Sequence, residues 1–214
     1  MRIEILPKTD TSGIRSTVFD DHGMKVLPAE KWLQFDWNEV RTLMHETGTY
    51  VLPTAELISY LRLVIDGRKA IEIAAGNGWI GRALGIPMTD SYQQRDDPGT
   101  VLMYKLSGQP LIDYPDDVVK MEANEAVDKY SPDVVIGSYV THKYMPGMRT
   151  GNAMGVDFGK LLPKVKMLVL VGNKVTHADN PIMTIPHLEV KLDGLITRSA
   201  DAESNRIFIW RSGD

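Results

Sequence analysis

Glu72 stands in the middle of an apolar run, "KAIEIAA" at Lys69–Ala75. A carboxylate buried without a partner is costly, so an acid placed there asks for a task. Three glycines follow, Gly76, Gly78 and Gly81, and a second acid, Asp90, ends the next apolar stretch, "IPMTD". An ordinary strand-to-helix connection needs one glycine at most. Extra glycines let a backbone lie against a bound molecule where a Cβ would collide. The pattern suggests capture of a cofactor, and two cofactor classes fit it.

The elements that must position these residues alternate along the chain. "TAELISYLRLVI" puts Leu57, Ile58, Leu61, Val64 and Ile65 on one helical face, and "DG" at Asp66–Gly67 stops it. "KAIEIAA" reads as a buried strand, "WIGRALG" as a short helix and "IPMTD" as a brief strand. "DDVVKMEA" is a strand, "NEAVDKY" a helix, "PDVVIGSYV" a strand, "GVDFGKLLPKV" a helix and "KMLVLVG" a strand. This alternation marks parallel βαβ units. The ending differs: "HLEVKLDGLITR" and "NRIFIWR", joined by the polar "SADAES", read as an antiparallel hairpin. "QQRDDPG" reads as a solvated turn. Near the start, "RIEIL" and "STVFD" read as short strands and "DWNEVRTLMHE" as a helix capped by Asp36. The expected division is a small N-terminal appendage over residues 1–46 and one larger domain over 47–214.

Gly76, Gly78 and Gly81 satisfy G-x-G-x-x-G after a strand, the loop of nicotinamide and flavin dinucleotide folds. Those folds place a ribose-binding acid roughly 20 residues beyond the glycines. Asp90 comes much sooner, and Glu72 is left without a task. The alternative uses every part. "EIAAGNG" at Glu72–Gly78 resembles motif I of class I S-adenosylmethionine-dependent methyltransferases, whose common form is acid-x-Gly-x-Gly-x-Gly. The resemblance implies that the loop admits the methionine moiety and ribose, and that Glu72 orders the loop and contacts the cofactor's amino end. Ala74 stands where glycine is usual, which a negative φ would accommodate, and Asn77 is a turn former lining the loop.

The resemblance runs on, from roughly Thr47 to the C-terminus. Asp90 matches the acid that accepts both ribose hydroxyls, a task for which two carboxylate oxygens are suited. Asp96 or Asp97 is the alternative, because the helix before Asp90 is shorter than the family norm. Glu122–Ala123 resembles the pair beside the adenine ring. "DVVIGSYV" at Asp133–Val140 matches the fourth strand, whose end faces the methyl group and brings Ser138 to the cofactor. "GTYVLPTAEL" at Gly48–Leu57, with Tyr50, is similar to the segment that closes over the cofactor. The implied fold is α/β: a Rossmann-like, mostly parallel seven-stranded sheet with a C-terminal antiparallel hairpin and helices on both faces.

The family places substrate-facing groups just after the fourth strand, where "SYVTHKY" offers Tyr139, His142 and Tyr144. Tyr139 and His142 are the candidate catalytic residues, since a hydroxyl or imidazole there could orient an acceptor or take its proton. His177, in "GNKVTHADN", holds a similar position after the fifth strand. His22, His45 and His187 show no metal spacing and read as structural, so no metal is expected. Trp32 and Trp37 read as core or interface anchors.

Composition narrows the acceptor. A net charge of −4 over 214 residues gives no global field to draw nucleic acid. "GSYV" at Gly137–Val140 also lacks the prolines of enzymes that methylate exocyclic amines of DNA bases. A small molecule or a protein side chain is the expected acceptor. No cysteine is present, which fits a reducing compartment, and no run is long enough for a membrane span, so a cytoplasmic location is expected. The reading is a methyltransferase; its rivals are a non-catalytic binding or scaffolding protein of the same fold and a dinucleotide-dependent oxidoreductase.

Overall fold

The computed structural model describes residues 9–212, and the strand expected at "RIEIL" lies outside them. The parallel core consists of β3 (Ala70–Ile73), β4 (Met88–Asp90), β5 (Val118–Lys120), β6 (Val134–Ser138) and β7 (Met167–Asn173). β8 (Leu188–Val190) and β9 (Asn205–Arg211) complete a seven-stranded sheet in the order β5-β4-β3-β6-β7-β9-β8. β3 pairs in parallel with β4 and β6, whereas β9 runs antiparallel to both β7 and β8. The mostly parallel sheet and antiparallel ending therefore stand as the sequence implied. The last pair is a wide connection rather than a tight hairpin, because only Leu188–Val190 of the expected strand pairs with β9.

Strand alternation sorts the core into two faces. Ile71, Ile73, Val135, Leu168, Leu170, Phe208 and Trp210 pack on one side with α8 (Ala123–Tyr130) and α9 (Phe158–Leu161). Ala70, Val134, Ile136, Val169, Val171, Ile207 and Ile209 pack on the other with α4 (Ala55–Ile65) and α5 (Trp79–Leu84). Each fully buried aliphatic side chain contributes about 1.5–3 kcal/mol, so the pattern holds the register firmly. In α4, Leu57, Ile58, Leu61 and Ile65 are buried as the spacing required, and Val64 is partly buried. Asp66 adopts a left-handed φ of 49° to end that helix.

The N-terminal segment folds differently from the sequence expectation. "STVFD" is mostly α1 (Ser12–Val18), with only Phe19–Asp20 in strand β1, which pairs with β2 (Gly23–Met24). The one-turn spacing of Ile14 and Val18 explains this, since both reach a cluster with Trp32, Val40, Leu43 and Met44. α2 (Ala29–Trp32) and α3 (Trp37–Glu46) supply that cluster, and Asp36 caps α3 by accepting from Asn38 N–H at 2.8 Å. Leu52 and Ile196 belong to the same cluster, so this segment packs against residues from later in the chain. Trp32 is core, while Trp37 is exposed.

The stretch read as a solvated turn forms α6 (Gln93–Asp96) and α7 (Pro98–Leu106). Asp97 caps α7 by accepting from Thr100 N–H at 2.7 Å, and Pro98 occupies the first helical position. Those residues start helices as readily as they make turns. No helix among the described residues is long and apolar enough to cross a membrane.

α5 approaches the sheet closely at one point. A Cβ on Gly81 would lie 2.4 Å from Met88 Cγ and 2.7 Å from Glu72 Oε2. Gly81→Ala is expected to lower stability by about 1–3 kcal/mol in urea unfolding. Gly13→Ala in α1, where nothing lies within 4 Å, should be neutral or mildly stabilising. Equal midpoints for parent and Gly81→Ala would refute this close packing.

Candidate functional site

In open parallel sheets, ligands sit beyond the C-terminal ends of the strands, where the strand order reverses. Here that point lies between β3 and β6, and a cavity of about 430 Å³ occupies it. Tyr50, Glu72, Ala74, Gly76, Asn77, Asp90, Glu122, Ala123, Ser138 and Tyr139 all border it. These residues come from separate elements, so the fold gathers them.

Glu72 lies on the α4/α5 face of β3, opposite Met88 and Ile136 in register, and is 2% exposed. Its Oε2 accepts the Gly81 N–H at 2.7 Å, in the first turn of α5. Burial pushes its carboxyl up to about 8, and the neighbouring Asp90 adds to the rise, while the Gly81 bond and Arg82 oppose it. Asp90, at the end of β4, accepts from Gly76 N–H and Tyr92 N–H, each at 2.9 Å. Burial raises its pKa, against those two bonds and a contact from the Tyr114 hydroxyl. Glu72 thus holds the first turn of α5, and Asp90 holds the loop that leads into it at Gly76. Asn77 adds a third tie, donating to the Thr47 carbonyl at 2.6 Å.

Two expectations for the loop change. Ala74 has φ +48°, not the negative value that would make alanine comfortable. Gly78 does not border the cavity; it holds φ +71° at the start of α5, and a Cβ there would meet Met88 Sδ at 2.7 Å. Asp90 ends β4 and borders the cavity, whereas Asp96 and Asp97 do not. Asp96 pairs instead with Arg95 and Lys120, and Asp97 caps α7.

The groups after β6 divide. Tyr139 forms part of the wall, with φ +55°, stacked on Tyr50 at 5.7 Å between ring centroids. Its hydroxyl is 3.0 Å from Thr197 Oγ1, and that threonine donates to Asn205 Oδ1 at 2.9 Å. Asn173 Nδ2 meets the same Asn205 oxygen at 3.1 Å, so the hydroxyl belongs to a buried polar network. His142 is buried outside the cavity wall, its Nε2 3.2 Å from the Thr150 carbonyl oxygen. His177 stands behind Tyr139, edge to face at 5.2 Å, and burial lowers its pKa. Tyr144 is exposed. Among the described residues no acidic or histidine cluster is arranged to hold a metal.

Several wall residues were not singled out in the sequence. Trp79 donates its indole N–H to Thr49 at 3.1 Å. Tyr104, Ile112 and Tyr114 reach the cavity from the α7 region. Tyr114 stacks on Tyr92 at 4.0 Å, and the Tyr104 hydroxyl accepts from Gln94 Nε2 at 3.3 Å. Asn152, Met154 and Thr176 border the cavity beyond β6 and β7. For Tyr104 the signal that could have pointed to it is Asp97–Pro98, which also starts a helix.

No protein-family model matches the chain, and no curated protein matches it. Among solved structures, a hypothetical protein of Thermus thermophilus is similar, with 18% identity, a TM-score of 0.36, and coverage of 72% of this chain and 82% of that one. A Thermoplasma acidophilum protein is similar at 15% identity and a TM-score of 0.33, covering 82% of this chain and 95% of that one. A third, SMU.776, is a presumed methyltransferase complexed with SAH; it is 9% identical with a TM-score of 0.35, covering 81% of this chain and 48% of that one.

Two substitutions test the loop's energetics. An acid whose folded pKa is raised costs nothing below its ordinary value near 4.5, then costs progressively more as pH rises toward about 8. Glu72→Gln removes that cost while keeping an acceptor for Gly81 N–H. Its melting temperature should exceed the parent's by roughly 2–4 °C or more at pH 8, with a smaller gap at pH 4.5. An equal gap at both values would mean Glu72 titrates normally. Ala74→Gly should stabilise by about 1 kcal/mol in the same assay by relieving the left-handed strain; a loss of stability would contradict the strain.

Proposed function

We propose that the cavity binds S-adenosylmethionine and that the chain transfers its methyl group to a small-molecule or protein acceptor. The observation that carries this reading is the glycine loop held between two buried acids, Glu72 and Asp90, at the point where strand order reverses. That cofactor supplies an electrophilic methyl group; the protein must hold, orient and shield it. Glu72 would take the amino end, where a cation would favour its ionised form. Asp90 would take the ribose, each oxygen having a second lone pair beyond its backbone bond. Glu122 and Ala123 would flank the base, and the Tyr139 ring and Ser138 would border the sulfur. Tyr139 contributes its ring face, since its hydroxyl is engaged by Thr197.

A non-catalytic reading has one observation in its favour. His142 is tied to the Thr150 carbonyl and does not border the cavity, so it is poorly placed to take an acceptor's proton. Under the catalytic reading, the same placement suits an acceptor that loses its proton to water.

S-adenosylhomocysteine should raise the melting temperature in a concentration-dependent way, and a nicotinamide dinucleotide should not. Calorimetry should give Glu72→Ala a roughly tenfold to hundredfold weaker affinity, the usual loss for a charge-assisted contact. Unchanged affinity would remove Glu72 from the site. Labelled cofactor that binds yet methylates nothing in an acceptor screen would move the function to the non-catalytic reading.

A further inference from the structure

The cavity wall divides by charge along the sheet. Its acids, Glu72, Asp90 and Glu122, come from β3, β4 and the turn after β5, on one side of the point where strand order reverses. On the other side, β6, β7 and the segments that follow them contribute Ser138, Tyr139, Thr141, Asn152, Met154 and Thr176. Among the described residues, no Asp, Glu, Lys, Arg or His borders this second half. An ion enclosed there would give up water without meeting an opposite charge, which is costly. An uncharged polar molecule avoids that cost when its polar atoms find partners.

Asn152, partly buried on this wall, offers such a partner. Its loop folds back on itself. Asn152 N–H donates to the His142 carbonyl at 3.0 Å, Tyr144 N–H to the Asn152 carbonyl at 3.0 Å, and Val156 N–H to the Thr141 carbonyl at 2.9 Å. Gly155 permits the closeness, since a Cβ there would lie 2.3 Å from the His142 carbonyl oxygen. The same loop orients the side chain. Met154 N–H donates to Asn152 Oδ1 at 2.9 Å, and only the oxygen of an amide can accept that bond, so the amide cannot be flipped. Nδ2 keeps its donors, with no hydrogen-bond partner among the described residues. A fixed amide with unused donors, on a wall without charges, suits a carbonyl oxygen.

We propose that Asn152 seats a carbonyl oxygen of the molecule that accepts the methyl group, and that this acceptor is uncharged where it enters the cavity, as an amide is. This rests on the S-adenosylmethionine reading and divides the labour of the wall. The acidic half would hold the cofactor, whose amino end is cationic, and the uncharged half would select the acceptor. Asn152 would recognise the acceptor and take no part in moving its proton.

The test follows the Asn152 Nδ2–H resonances of ¹⁵N-labelled protein saturated with S-adenosylhomocysteine. The protein is titrated in turn with N-methylacetamide, sodium acetate and methylammonium chloride at constant ionic strength. N-methylacetamide should shift the resonances saturably, at roughly 10–100 mM for so small a ligand, and neither ion should. Asn152→Asp keeps an oxygen for Met154 N–H but removes the donors, so the response to N-methylacetamide, read at the Thr141 and Val156 backbone amides, should be lost. No saturable shift with N-methylacetamide, or an equal or larger one with either ion, overturns the proposal, whether or not the variant folds. An unchanged response in Asn152→Asp overturns it too. A tenfold or greater loss of S-adenosylhomocysteine affinity in Asn152→Asp does the same, by giving Asn152 to the cofactor. Once N-methylacetamide responds, acetyl-trialanine amide binding tenfold or more tightly assigns the carbonyl to a peptide, and weaker binding assigns it to a small amide. If S-adenosylhomocysteine fails to bind the parent, the methyltransferase reading falls; the unliganded protein then decides the seat alone, a response to N-methylacetamide supporting it and silence overturning it.

Discussion

One carboxylate governs the arrangement of this molecule's upper edge. Glu72 sits on a sheet face otherwise made of Ala70, Val134, Ile136 and Val169, and the backbone donor it holds is the Gly81 N–H. That bond fixes where α5 begins and how closely it rides on Met88. The start of α5 in turn sets the path of residues 74–78, whose Gly76 N–H is then presented to Asp90. An apolar residue at position 72 would leave the sheet intact and remove the reason for the loop's shape. The cost of burying the acid is therefore a cost of the site, not of the fold.

The cavity's other walls come from segments far apart in sequence, held by short polar ties. Asn77 reaches back to Thr47, Trp79 to Thr49, and Tyr139 forward to Thr197. Ile112 lies close to both Gly48 and Gly76, covering the loop from outside. α7 is the loosest of these pieces: only Thr100 of it is buried, while Leu102 and Leu106 face solvent. A cover with so little buried surface is the part of the wall with least to lose on moving.

Much of this was legible in the sequence because it depends on local pattern. The apolar face of α4, the Asp36 cap and the β-branched strands follow from periodicity and capping chemistry. Glu72 and Asp90 were visible because acids at the ends and centres of apolar runs are conspicuous. What stayed hidden depends on distant partners. Tyr139 and Thr197 are 58 residues apart, so nothing near Tyr139 reveals where its hydroxyl points. His142 follows β6 closely but is turned away by residues 142–156, which fold back to bring Thr150 against it. Asp97–Pro98 is ambiguous in a different way, being a turn signal and a helix start at once; here Asp97 caps α7 and Pro98 takes its first position. Ala74 shows the same limit at one residue: its type favours a negative φ, and the loop imposes a positive one.

The central claim is that a buried, largely protonated Glu72 faces a cavity made for a ligand with a cationic amino end. Following the Glu72 carboxyl carbon by NMR across a pH titration, with and without S-adenosylhomocysteine, tests both halves at once. The account predicts a midpoint near 8 in the free protein and a marked downward shift when the ligand is bound. A midpoint near the ordinary 4.5, or one that the ligand leaves unmoved, would contradict it.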